Sequence, residues 1–238
     1  VALNGVSLSI DENDRIAILG ESGTGKTTLG LTLVGVVKPN EGEVLYLGKN
    51  IYSLSKKEFK EFRRNVQYIM QNPYSAFNPY KTIFKSFMDV IKEYKLAKDE
   101  NEIKSIITEN LQMVNLDPQI LDRYPHQLSG GQLQRLALAR TLLLKPKVII
   151  ADEIVSMLDA SLKKSVIDTF KEVCNKYSIS SVFITHDIGA AKYFSEDRGT
   201  IVVMYKGKII EKGTARDIIY SPQHEYTRKL IESYIDIF

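Results

Sequence analysis

One cysteine among 238 residues, Cys174, excludes an intramolecular disulfide framework and a multi-cysteine metal cluster within this chain. Charge of one sign is also scarce: 32 basic and 29 acidic side chains leave a net +3, weak support for nucleic acid or an anionic membrane as a partner. No apolar run approaches the roughly 18 residues of a membrane span. The longest, such as Val148-Ile149-Ile150-Ala151, read as buried strands. From Val1 the chain enters a strand-like pattern directly, with no basic-then-apolar leader. There is no internal repeat and no low-complexity tract. What is present is ordinary for a globular chain, 44% hydrophobic and 26% charged, and long enough to bury a core without staples. The expectation is a soluble, cytosolic protein of one domain, or a core with an inserted lobe.

Short strand patterns alternate with helical ones. Val6 to Ile10 has period two, and Arg15-Ile16-Ala17-Ile18-Leu19 is an apolar run ending at Gly20. Gly25 onward predicts a helix with Leu29, Leu33 and Val36 on one face, stopped by Lys38-Pro39-Asn40. Glu43 to Leu47 and Val66 to Met70 read as strands. Between them Ser55 and Glu58 form a capping-box pattern. The basic residues that follow, Lys56, Lys57, Lys60, Arg63 and Arg64, read as a solvated helix face. From Thr82 to about Leu144 no strand pattern occurs, and Ile103, Ile106, Ile107, Leu111 and Val114 mark an amphipathic helix. Strand patterns return at 148–151, 181–184, 201–204 and 208–211, with a helical stripe of Leu162, Val166, Phe170 and Val173. Two short helices, 215–220 and 225–234, close the chain.

Gly20-Glu21-Ser22-Gly23-Thr24-Gly25-Lys26-Thr27 fits G-x-x-x-x-G-K-[ST] between a strand and a helix, with Thr28 continuing it. The glycines let the backbone curl so that successive N–H groups face phosphate oxygens, and the helix adds its positive end. Lys26 would reach the β and γ phosphates, and the Thr27 hydroxyl would ligate Mg²⁺. Chance yields such a match in about one chain in a hundred of this length, before the strand–loop–helix context is counted. A second apolar strand ends in Asp152-Glu153. Ligands gather at the carboxyl ends of parallel strands, so Asp152 would lie near the loop and hold Mg²⁺ through water, leaving Glu153 to deprotonate an attacking water. Two acids after a strand would otherwise be merely solvated, and the upstream loop tips the balance.

Leu128-Ser129-Gly130-Gly131-Gln132 opens a further helical run, placing a hydroxyl and bare N–H groups at a helix start, a second anion-binding element on one chain. In this it resembles the nucleotide-binding subunit of an ABC transporter, whose signature is this Leu-Ser-Gly-Gly-Gln. The other landmarks follow in the family's order. Gln71 resembles the Q-loop glutamine that contacts Mg²⁺ and the attacking water. Ser156-Met157-Leu158-Asp159 occupies the D-loop, with Met157 where alanine is usual, and His186 is similar to the switch histidine at the γ-phosphate. His126 and His224 are read as structural. The run Gln71 to Pro79, Tyr124-Pro125-His126-Gln127 and the tail His224 to Leu230 resemble the oligopeptide, dipeptide and nickel importer subgroup, with Glu225 replacing a proline. Ile154 stands where proline usually follows the glutamate. The single cysteine argues against the iron–sulfur extension that some members carry.

The resemblance implies a RecA-like P-loop NTPase α/β core with an N-terminal antiparallel β part and an inserted α-helical subdomain. The core would span 1–75 and 140–211, the helical subdomain with the signature 76–139, and a helical tail 212–238. It implies ATP and Mg²⁺ as ligands, with Thr27, Gln71 and Asp152 at the metal and Glu153, His186 and Gln71 catalytic. Two cassettes would face head to tail, each ATP lying between Gly20–Thr28 of one and Ser129, Gly130, Gly131 and Gln132 of the other, with Asp159 in the D-loop. Expected partners are a second nucleotide-binding subunit (a related but different chain, or a second copy), two membrane permeases and, indirectly, an extracytoplasmic solute-binding protein, with no nucleic acid. The place implied is the cytoplasmic face of the cell membrane. The family's adenine-stacking aromatic would fall upstream of Val1. Short peptides lead as cargo, with nickel complexes or oligosaccharides behind. A soluble ABC ATPase without a permease ranks lower, and so does a regulatory nucleotide-binding module. A P-loop kinase leaves the signature and His186 unexplained.

Overall fold

The computed structural model describes residues 2–196 and 198–235. Val1 and residues 236–238 of the expected tail lie outside the described residues. In chain order the elements are β1 (Arg15–Leu19), α1 (Lys26–Leu33), β2 (Leu45–Tyr46), β3 (Lys49–Asn50), α2 (Lys56–Asn65), β4 (Val66–Ile69), α3 (Ile83–Tyr94), α4 (Glu100–Met113), α5 (Gly130–Leu142), β5 (Val148–Asp152), α6 (Ala160–Lys176), β6 (Ser180–Thr185), α7 (Ile188–Ser195), β7 (Thr200–Tyr205), β8 (Lys208–Thr214), α8 (Ala215–Tyr220) and α9 (Glu225–Ile235). Among the described residues no helix is long and apolar enough to cross a membrane.

The chain divides into two compact units. The first takes Val1–Tyr68, Lys147–Glu153 and Ser178–Phe238; the second takes Ile69–Pro146 and Ile154–Tyr177. The expected insert, 76–139, lies inside the second unit, which is wider at both ends and also takes α6. The reason is packing, since α6 lies against α5 rather than following the strand before it into the first unit. The expected tail does not stand apart either. Strand β8 runs on to Thr214, and α8 packs on it within the first unit.

In the first unit a six-stranded sheet has the order β4-β5-β6-β1-β7-β8. Strands β5, β6, β1 and β7 are parallel neighbours, and β8 returns antiparallel along β7. Parallel strands are covered on both faces, which explains why β1, β5, β6 and β7 read as near-continuous apolar runs. One core cluster joins Ile16 and Ile18 of β1 to Ile150, Val182, Ile184 and Val202, and to Leu29, Phe62 and Val66. A small antiparallel ribbon of β2 and β3 completes the unit.

Three local expectations change. Residues 6–10 form no strand; Val6, Leu8 and Ile10 are half-buried against the core while Ser7 and Ser9 are exposed, so the alternation describes an extended segment without ladder partners. Only Leu45–Tyr46 of the run 43–47 is paired. Helix α1 ends at Leu33, before Val36, because Gly35 at φ 73° closes it: its N–H bonds Thr32 O at 3.0 Å and that of Val36 bonds Leu31 O at 2.9 Å, a Schellman closure. Val36 is left exposed. The Ser55–Glu58 capping box opens α2 as its spacing predicts, and the five basic side chains are exposed.

The second unit is helical. Asp99 caps α4, which buries Ile107 and Leu111, and Val114 is buried just beyond its end. In α5, Leu133, Leu136 and Ala139 are fully buried, and Arg140 lies over the Phe77 ring at 4.6 Å.

Candidate functional site

The strand register brings the sequence motifs of the first unit together. Leu19 pairs with Thr185 and Asp152 with Ile184, so β1, β6 and β5 end side by side. The residues that follow those ends are Gly20, His186 and Glu153, and ligands collect at such an edge.

Between β1 and α1 the loop coils through two left-handed glycines, Gly23 at φ 80° and Gly25 at φ 100°. A side chain at Gly20 would run into the Met204 carbonyl, and one at Gly25 into that of Ala2, so glycine is required at both on packing grounds as well. Thr24 turns back on the loop, its hydroxyl donating to Glu21 O at 2.9 Å, and its own carbonyl accepts from Gly207 N–H at 3.0 Å. The Lys26 ammonium is buried and donates to Gly20 O and Glu21 O, both at 2.8 Å. Burial pushes its pKa down, opposed by Glu153, Asp152 and Glu21. The exposed face of the loop carries Glu21, Ser22, Gly23 and Thr27, while Thr28 accepts from the Thr32 hydroxyl at 2.7 Å inside α1.

Asp152 is 2% exposed. Its Oδ2 accepts from the Tyr68 hydroxyl at 2.6 Å, whereas Oδ1 is buried without a hydrogen-bond partner among the described residues. Burial raises the Asp152 carboxyl, against the opposing effects of Tyr68, Thr27 and Lys26. An orphaned carboxylate oxygen beside the Thr27 hydroxyl is the donor set a hard cation such as Mg²⁺ would use, so these residues fit one. Tyr68 escaped the sequence reading; a tyrosine in a strand carries no signal for an aspartate 84 positions away.

Glu153 sits at φ 49°, a left-handed conformation that costs a non-glycine residue about 1–2 kcal/mol. Its N–H donates to Ile184 O at 2.9 Å, which fixes the turn away from β5. Oε2 lies 2.6 Å from His186 Nδ1, and Oε1 lies 3.9 Å from Lys26 Nζ. With the carboxylate accepting, the ring donates from Nδ1, and Nε2 lies on the side of the ring away from Glu153. His186 is half exposed, and Asp187 after it caps α7 by accepting from Ala190 N–H at 3.0 Å.

The remaining motif residues lie in the second unit. The exposed Gln71 has its carbonyl accepting from Gln134 Nε2 at 3.1 Å and its amide 3.4 Å from Ser156 Oγ. Ser129 is the N-cap of α5 in a reciprocal capping box: its hydroxyl accepts from Gln132 N–H at 3.2 Å, and Gln132 Oε1 accepts from Ser129 N–H at 3.0 Å. The Ser-x-x-Gln spacing is itself a capping-box pattern, a signal the sequence reading passed over. Gly130 and Gly131 face Leu158 and Leu162. Asp159 caps α6, accepting from Ser161 and Leu162 N–H at 3.1 and 3.0 Å, and those bonds lower its pKa. Ile154 is buried and Met157 exposed. His126 stacks on Tyr124, and His224 Nδ1 accepts from Tyr226 N–H.

A glycine-coiled phosphate loop at the carboxyl edge of a parallel sheet, with two acids and a histidine at the same edge of that unit, defines a P-loop nucleotide-hydrolase fold. The family model described as ABC transporter matches residues 3–156. The oligopeptide transport ATP-binding protein OppF of Lactococcus lactis subsp. lactis (strain IL1403) is 38% identical over 98% of this chain and 72% of that protein. OppF of Escherichia coli (strain K12) is 35% identical over 98% and 69%. The dipeptide transport ATP-binding protein DppF of Haemophilus influenzae is 38% identical over 98% and 70%. Among solved structures, the dimeric ATP-binding cassette MJ0796 bound to ADP and Pi matches with TM-score 0.78 and 29% identity, over 90% of this chain and 91% of that one. CbiO1 of Clostridium perfringens matches with TM-score 0.80 and 26% identity over 99% and 90%. The chain belongs to the ABC transporter family and is an ATP-hydrolysing enzyme.

Proposed function

We propose that this chain is the ATPase subunit of an importer of oligopeptides or dipeptides, acting with partner permeases at the cytoplasmic face of the cell membrane. The observation that carries this reading is the likeness over 98% of the chain to proteins named for oligopeptide and dipeptide transport. The convergence of Lys26, Asp152, Glu153 and His186 at one sheet edge supports hydrolysis rather than binding alone.

The chemistry is positioning plus charge stabilisation. Loop N–H groups from Gly23 to Thr28 cradle the phosphates, and the Lys26 ammonium, held by two loop carbonyls, sits ready beside the β and γ groups. Mg²⁺, when bound, neutralises phosphate charge, and Thr27 and the free oxygen of Asp152 would hold it, Asp152 through water. Glu153 takes the proton of the attacking water. Its left-handed backbone turns the carboxylate back towards Lys26 and His186, and the Nδ1 contact keeps it oriented. His186 Nε2, on an exposed ring, is free to meet the γ-phosphate side. The parts of Gln71 at the metal and water, of Ser129, Gly130, Gly131 and Gln132 at the ATP of the opposite subunit, and of Asp159 in the D-loop are proposed from family resemblance. The second cassette is a related but different chain, and a solute-binding protein delivers the cargo.

The test is a mild-detergent pull-down of the full-length protein from its native membranes, with co-purifying chains identified by mass spectrometry. Two permeases, a second cassette and a solute-binding protein are expected. Recovery only from the soluble fraction with ribosomal or DNA-repair partners would overturn the transport reading and leave the ATPase.

A further inference from the structure

The phosphate loop has a partner outside the motif that defines it. The peptide joining Gly20 to Glu21 is held at both ends. Its carbonyl, that of Gly20, accepts from Lys26 Nζ at 2.8 Å, and its N–H, that of Glu21, donates to the Tyr226 hydroxyl at 3.3 Å. The next carbonyl, of Glu21, accepts from Lys26 Nζ at 2.8 Å and from Thr24 Oγ1 at 2.9 Å. Glu21 is therefore the hub through which α9, in the C-terminal segment, reaches the buried ammonium. A peptide bonded on both sides is polarised by both bonds, so each strengthens the other.

Tyr226 is itself well placed. Its ring stacks on Tyr205 at the end of β7, with centroids 4.0 Å apart and planes at 26°, one residue beyond the Met204 carbonyl that faces Gly20. The start of α9 is tied to β8 by the Glu211 carboxylate, which accepts from Gln223 N–H at 2.7 Å and His224 N–H at 3.2 Å. His224 Nδ1 then accepts from Tyr226 N–H at 3.1 Å. Sheet, cap and ring stack thus fix the hydroxyl before it meets the loop.

We propose that Tyr226 is a positioning residue for nucleotide binding: its hydroxyl fixes the Gly20–Glu21 peptide so that the carbonyl keeps the Lys26 ammonium in place, and the C-terminal helix thereby sets the affinity of the phosphate loop for a nucleoside triphosphate. The proposal rests on the nucleotide-binding reading of that loop.

The Tyr226→Phe variant keeps the ring and its stack and deletes one oxygen. Amide hydrogen exchange by NMR on the full chain reads the contact directly, with the Gly207 amide, bonded to Thr24 O, as internal control. Exchange at Glu21 is expected to speed up about threefold to tenfold, the range of one neutral hydrogen bond, while Gly207 is unchanged. The dissociation constant for Mg·ATP is expected to rise by a similar factor, with the loss in KM rather than kcat. Unchanged exchange at Glu21, or unchanged affinity despite faster exchange, overturns the proposal. So does a general loss of protection with a lower melting temperature, which would make Tyr226 structural only. Failure of the wild-type chain to bind Mg·ATP would strike the nucleotide reading itself, whereas the other outcomes strike the proposal alone.

Discussion

The Tyr68 hydroxyl donates to Oδ2 of Asp152 at 2.6 Å, and Oδ1 of that carboxylate has no hydrogen-bond partner among the described residues. Burial and this bond together push the Tyr68 phenol well above its ordinary range, so it stays a donor at any working pH. Tyr68→Phe would strip a buried carboxylate of its bond from the phenol. The expected loss is about 1–3 kcal/mol of stability, read from urea unfolding. The Mg²⁺ concentration needed for half-maximal ATPase activity should also rise, because the carboxylate is freed to rotate. Unchanged stability and unchanged Mg²⁺ dependence would show that Tyr68 does not orient Asp152.

Asp152 itself opposes stability at neutral pH. Its carboxyl is raised on folding, mainly by burial, so the folded protein binds that proton more tightly than the unfolded chain. The contribution is complete below the ordinary aspartate range and is lost as pH rises through the folded value. Asp152→Asn should therefore be at least as stable as wild type at pH 7, and its advantage should shrink as pH falls towards the ordinary carboxylate range, while ATPase activity is lost. Urea midpoints of both proteins across a pH series check this. An advantage that grows as pH falls would reverse the sign.

Glu153→Gln should bind ATP as wild type does and lose turnover by ~10² or more, the loss expected when a general base is removed. Nucleotide binding and single-turnover hydrolysis, measured on one preparation, separate the two effects. Near-normal turnover would remove Glu153 from the reaction.

Ser129→Arg should block the ATP-bound dimer while leaving the ATP affinity of the isolated subunit nearly unchanged. The substitution also deletes the N-cap of α5, so a stability loss of about 1 kcal/mol is expected alongside. Ser129→Ala isolates that loss. Light scattering with ATP, on this chain mixed with its second cassette, then reports the dimer separately, and a large fall in subunit affinity would contradict a signature that serves the opposite nucleotide.

What the sequence determined by itself is whatever is local along the chain. The phosphate loop is eight consecutive residues whose glycines act through their own backbone and whose lysine ammonium folds back on carbonyls of the same loop, so motif and flanking periodicity suffice to place it. Strands β1, β5, β6 and β7 were legible because burial on both faces makes them apolar without interruption. The extended segment 6–10 shows the limit: alternation records which side chains face the core, and says nothing of whether a neighbouring strand supplies hydrogen bonds. The tertiary structure alone decided the rest. Strand register brings Asp152 and Glu153 beside Gly20 and His186, and packing of α6 on α5 sets the division into units. Tyr68 meets Asp152 across 84 positions and Tyr226 meets Glu21 across 205. Tyr226 lies in the tail run 224–230 and Tyr68 in a plain strand pattern, but neither run names the partner, because a phenol becomes a positioning group only when the fold carries an acceptor or donor to its oxygen.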